Sequence, residues 1–148
     1  MMEDWRQNLI TDDDGLRRVL EEGHRVAVLG IKPESRKDRA AYYVPEYLQN
    51  AGYEIVPVPV YYPDVTEILG QPVYRRLGDV PGDIDVVDVF RKPGDIPAHL
   101  PDILAAQPRY VWFQLGIRND GAARALAQAG IEVVQDHCML AEHRRLFG

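Results

Sequence analysis

The chain has 148 residues, 46% apolar and 27% charged, a balance that fits one globular domain with its own core and excludes a disordered or membrane-embedded chain. A formal net charge of −6 argues against a nucleic-acid partner, because meeting a run of phosphates takes a broad positive field. The single cysteine, Cys138, excludes an internal disulfide, and residues 1–11 read as no export leader, so a cytoplasmic protein without a membrane partner is expected.

In chain order, Thr11 and Asp12 offer side-chain oxygens to cap a first helix with the apolar face Leu16, Val19 and Leu20. Gly23 stands where a left-handed stop belongs. The first strand is the β-branched run Val26 to Gly30. Ala41, Val44, Leu48 and Ala51 then share one helical face that ends at Gly52. Pro45 lies inside that pattern, and a proline is tolerated only near a helix start, so the regular helix is expected to begin shortly before it. The second strand is Tyr53 to Val58. Residues Tyr61 to Asp83, rich in Pro, Gly and Asp, predict a short helix near Glu67 and a short strand near Val73 in place of a crossover helix. After the third strand, Ile84 to Phe90, a helical face of Ile96, Leu100, Ile103 and Leu104 is shortened or bent by Pro97 and Pro101. Tyr110 to Leu115 and Ile131 to Gln135 are the last two strands, and Asn119 and Gly130 bracket the alanine-rich helix between them.

Strands recurring every twenty to thirty residues or so, with helices between most of them, are the rhythm of βα units. The expected fold is therefore α/β: a single Rossmann-like domain over 1–148, a parallel sheet between two helical layers. Right-handed crossovers suggest a sheet order of 3-2-1-4-5 with Val26 to Gly30 central.

In such a sheet ligands bind outside the carboxyl ends of the strands. The loop after the first strand carries Gly30, Ile31, Lys32, Ser35, Arg36, Lys37 and Arg39 just before a helix start. Free N–H groups and the positive helix end, joined by four basic side chains, make a candidate phosphate site; a solvated polar loop is the plainer alternative. Neither G-x-G-x-x-G nor G-x-x-x-x-G-K-[ST] is present, which weakens dinucleotide and Walker-type readings. Cys138 with His137 and His143 falls short of a zinc set and reads as a buried structural cysteine. Asp85 and Asp88, three apart on a strand, face opposite ways and make no acid–base pair; Asp88 is expected to order a loop through backbone N–H groups. Tyr42, Tyr43, Tyr47, Tyr53, Tyr61 and Tyr62 divide between core edges and a cleft. No nucleophile elbow or triad appears, and no enzymatic activity is expected.

Several stretches, in order along nearly the whole chain, carry a more specific likeness. They include Val26-Ala27-Val28-Leu29-Gly30, Gly52-Tyr53-Glu54-Ile55-Val56-Pro57-Val58, Asp85-Val86-Val87-Asp88-Val89-Phe90-Arg91 and Val111-Trp112-Phe113-Gln114-Leu115-Gly116. With these the chain resembles the stand-alone CoA-binding protein family, relatives of the N-terminal domain of the succinyl-CoA synthetase alpha subunit. The resemblance implies a domain that holds coenzyme A, or an acyl-CoA, at the strand ends without catalysis of its own. It implies that Gly30 lets the backbone approach a phosphate, that Arg39 is the basic residue of the first loop and that Arg91 is a second rim contact. Val89 and Phe90 would wall the adenine or pantetheine, Gln114 and Gly116 would line the opposite strand end, and Val60 would contact the ligand after the second strand. Lys32 replaces a small hydroxyl residue common in the family, and Val58-Pro59-Val60 stands where the family often reads V-N-P. The alternative is an NAD(P)-binding or acyl-CoA-handling subunit that acts with a partner.

Overall fold

The structure, a computed structural model, describes residues 4–148. Five parallel strands form the sheet: β1 (Arg25–Leu29), β2 (Glu54–Val58), β5 (Val86–Val89), β6 (Tyr110–Phe113) and β7 (Glu132–Val134). Two short strands, β3 (Glu67–Ile68) and β4 (Gln71–Pro72), make a separate antiparallel hairpin. The helices are α1 (Asp13–Glu22), α2 (Ala40–Asn50), α3 (Leu100–Ala106), α4 (Asp120–Gln128) and α5 (Met139–Phe147).

The sheet runs β2-β1-β5-β6-β7. In the numbering of the five sequence runs this is 2-1-3-4-5, which corrects the expected 3-2-1-4-5. The third run pairs with the first, with Val28 opposite Asp88, and the second run lies on the edge. Pro57 gives the reason. A proline cannot donate to a ladder and is confined to edge strands, whereas the expected order would have flanked β2 on both sides. At the edge, Pro57 needs only its carbonyl, which accepts from the Tyr74 N–H at 2.9 Å. Val26 to Gly30 remains internal, between β2 and β5.

Strand residues alternate between two cores, and the helices divide accordingly. On one face Val26, Val28 and Val86 pack with Leu16, Val19 and Leu20 of α1, Val44 and Leu48 of α2, and Met139 of α5. On the other, Ala27, Leu29, Val87 and Phe113 pack with Ile103 of α3 and Leu126 of α4. Burial on both faces is why these strands read as continuous apolar runs.

Local chemistry explains most helix ends. The Asp12 side chain accepts from Gly15 N–H to start α1, and Asn119 accepts from Ala122 N–H to start α4. Pro97 and Pro101 leave two 3-10 turns before the short α3. Gly23 differs from expectation: its φ is −89°, and a Cβ there would lie 2.4 Å from Val86 Cγ2. Room, not handedness, requires glycine at that position. Residues 67–72 are a hairpin and not a helix, because Leu69 and Gly70, both at positive φ, form the tight reversal that suits a two-residue β-turn. α5 carries no sequence signal comparable to the other helices, its N-cap being Cys138 without a side-chain cap bond.

Candidate functional site

Gly30 ends β1 at φ +87°, with its N–H on the Val58 carbonyl at 2.9 Å. A Cβ on it would sit 2.3 Å from the Phe90 carbonyl oxygen. The close backbone approach that demands glycine here is made by the loop after β5. Beyond Gly30 the chain turns inward: Ile31 is buried in the core and the Lys32 N–H donates to the Ala41 carbonyl at 3.1 Å. The Glu34 carboxylate accepts from Leu69 N–H at 2.8 Å, which ties this loop to the β3–β4 hairpin.

α2 begins at Ala40, five residues before Pro45. Its N-cap is Arg39, which makes no side-chain cap bond, so the first N–H groups are left to whatever occupies the space in front of them. That space is a cleft of about 400 Å³ lined by Lys32, Arg39, Ala40 and Ala41 on one side and by Phe90, Arg91, Lys92, Pro93, Gly116 and Ile117 on the other. Lys32, Arg39, Phe90, Arg91 and Gly116 are therefore brought together as the sequence suggested. Ala40, Ala41, Lys92, Pro93 and Ile117 were missed, although each lies within two positions of a named residue. Ser35 is exposed and Arg36 half-buried on the turn 34–36, and Lys37 just after it is exposed, none of them lining the cleft.

Arg91 is more committed than a rim contact. Its side chain is only 13% exposed, it pairs with Asp95 at 3.5 Å, and its Nε donates to His99 Nε2 at 3.2 Å. Burial first, and the Arg91 charge second, hold the His99 pKa below its ordinary value, which favours the neutral ring that accepts this bond. The Tyr61 ring lies over the Arg91 guanidinium at 5.4 Å and the Tyr62 ring over Lys32 Nζ at 5.8 Å. Beyond Arg91 lies a second cleft of about 230 Å³, where Val60 sits with Leu29, Val58, Arg75, Arg76, Leu77, His99 and Asp102.

Val89 and Gln114 do not reach the first cleft. Val89 is fully buried in the second core, since in a parallel strand both faces are covered. Gln114 is buried beneath the strand ends, where its amide donates to Asp88 Oδ1 at 2.5 Å and accepts from Met139 N–H at 3.3 Å. This corrects the expectation that Asp88 orders a loop through backbone N–H groups: its one hydrogen-bond partner is the Gln114 side chain. Its Oδ2 has no partner, and burial raises its pKa to about 7 against the opposing Gln114 hydrogen bond. Cys138 is half-buried against the first core, and no three metal-ligating side chains come together among the described residues. Tyr42 and Tyr53 belong to the core, while Tyr43 and Tyr61 are exposed.

Fold and cleft together define a Rossmann-like α/β domain with cationic side chains gathered at the carboxyl edge of its sheet. The chain belongs to the CoA binding domain family, whose model matches residues 24–144. It is 33% identical to the protein YneT of Bacillus subtilis over 128 residues, 86% of this chain and 91% of that one. A solved structure from Thermus thermophilus is 40% identical with a TM-score of 0.84, covering 93% of this chain and all 100% of that one. Likeness of fold alone extends to the dinucleotide-forming acetyl-coenzyme A synthetase 1 of Ca. Korarchaeum cryptofilum. There the identity is 18%, the TM-score is 0.62, and the match spans 74% of this chain and 25% of the synthetase.

Proposed function

We propose that this chain binds coenzyme A, or an acyl-CoA, in the cleft at the carboxyl edge, as a non-catalytic carrier or sensor in the cytoplasm. The observation that carries the reading is the meeting of Lys32, Arg39 and Lys92 with the uncapped start of α2 around one cleft, in a chain of this family. Phosphate oxygens accept from backbone N–H groups and from ammonium or guanidinium groups, and the positive end of α2 adds to both. A non-catalytic role is supported by the fate of the nearby titratable groups. His99 is engaged by Arg91, and Asp88 is sealed below the sheet edge.

Native mass spectrometry of gently purified protein tests the proposal. An adduct with the mass of CoA or an acyl-CoA is the expected result. An adduct with the mass of NAD, or a protein that takes up neither CoA nor NAD when each is added, overturns it.

A further inference from the structure

We propose that Tyr61 is the stacking plate for the flat heteroaromatic base of the ligand. This rests on the reading above, since CoA carries one such base, adenine. Three observations lead to it.

First, the ring of Tyr61 is presented and not packed. Tyr61 is 62% exposed, although a tyrosine that only fills structure buries its apolar ring. Second, the loop that carries it is fastened from below. The Arg75 guanidinium donates to the carbonyls of Tyr61, Tyr62, Pro63 and Val65, at 3.3, 2.9, 3.3 and 2.5 Å. The four bonds hold the backbone of this exposed segment, so the ring gives up little conformational freedom on meeting a ligand. Third, the Arg91 guanidinium backs the ring at 5.4 Å, and Arg91 is fixed in turn by Asp95 and His99. A ring with a cation on one side has its other side left for a second flat group.

The location fits an extended ligand with phosphates in the middle. Arg91 lines the first cleft and its partner His99 lines the second, and the Tyr61 ring lies 5.4 Å from the Arg91 guanidinium that joins them. Phosphates held by Lys32 and Arg39 would leave a base on the β2 side within the reach of this ring. Stacking is indifferent to the hydrogen-bonding edge of the base. The contact therefore selects for a base, and the cations around it select for phosphate.

Calorimetric titration of wild type, Tyr61→Phe and Tyr61→Leu with three probes tests the assignment: CoA, adenosine 3′,5′-bisphosphate and 4′-phosphopantetheine. Aromatic stacking on a base commonly amounts to a factor of about ten or more in affinity. Tyr61→Leu is expected to weaken CoA and the bisphosphate by about that factor and to leave 4′-phosphopantetheine unchanged. Tyr61→Phe is expected to bind all three like wild type. In ligand-observed NMR, the adenine protons should shift upfield on wild type and Tyr61→Phe but not on Tyr61→Leu. If Tyr61→Leu binds CoA as wild type does, or loses all three probes equally, the plate is overturned while CoA binding stands. If wild type binds none of the three, the proposed function fails as well.

Discussion

The backbone N–H of Lys32 donates to the carbonyl oxygen of Ala41 at 3.1 Å, and that carbonyl is the one Pro45 leaves without its helical donor. In a regular helix residue 45 would bond residue 41; the proline ring removes that N–H, and the first loop supplies a substitute. The residue that looks like a defect in α2 thus frees the acceptor that holds the cleft-lining loop against the helix start.

Pro45→Ala restores a competing donor. The amide of Lys32 is expected to exchange with solvent faster in the variant, while the amides of β1 keep their protection. CoA affinity is expected to fall severalfold as the loop loosens. Unchanged exchange at Lys32 in a residue-resolved experiment would refute the link between the proline and the loop.

Arg39→Ala and Lys32→Ala test the cationic side of the cleft. A hydrogen bond to a charged group commonly contributes about 1.5–3 kcal/mol, so either change should weaken CoA by about tenfold or more in calorimetric titration at physiological salt. The loss should shrink as salt is added, because Arg39 is exposed and its charge is screened. Arg91→Ala should behave differently and lower the melting temperature as well, since it strips the partner from Asp95 and His99 and the backing from Tyr61. If Arg39→Ala and Lys32→Ala both bind as tightly as wild type, the ligand lies elsewhere.

Much of this arrangement is legible in the sequence, and the differences have physical causes. The five strands showed as apolar runs because two helical layers bury them, and the caps Asp12 and Asn119 marked their helices. Sheet order was misread although Pro57 signalled an edge strand from within its own run. The hairpin at 67–72 was read as a helix because Leu69 at positive φ has no common sequence signature. In the site, loop position points to Lys32 and Arg39, and the family resemblance adds Phe90, Arg91 and Gly116. It could not separate Val89, whose side chain turns into the core, from Phe90, its neighbour at the rim. Nor could it show that Arg91 is occupied by its own loop and by His99.

Gly30→Ala probes the junction itself. An alanine at φ +87° costs about 1–2 kcal/mol, and its Cβ, 2.3 Å from the Phe90 carbonyl, adds roughly 1–3 kcal/mol of overpacking. A loss of about 2–5 kcal/mol in urea unfolding is expected. The loop after β5 should move with it, so Lys92 and Pro93 lose their register with Lys32 across the cleft. A variant as stable as wild type would show that the close approach is not rigid.

The buried carboxyl of Asp88 makes stability depend on pH in the direction opposite to that of a salt-bridged acid. Its folded pKa, about 7, lies above the ordinary aspartate value of 3.8, so the native state holds a proton that the unfolded chain releases. The contribution is fully present below the unfolded value and is lost as pH rises through the folded one. Between pH 5.5 and 8.5 the loss is about 2 kcal/mol, from 1.36 kcal/mol for each unit between 5.5 and 7. Exposed carboxylates paired with arginine, such as Asp13 with Arg145, change little in that window, because their pKa values are already below it. His99 works the other way at the acid end: its lowered pKa removes stability as pH falls below the ordinary histidine range. Asp88→Asn keeps the shape and an oxygen for the Gln114 amide but cannot ionise. Urea unfolding at pH 5.5, 7 and 8.5 should therefore show wild type losing about 2 kcal/mol relative to Asp88→Asn as pH rises, the histidine contribution being common to both proteins. Equal slopes for the two proteins would place the titrating group elsewhere.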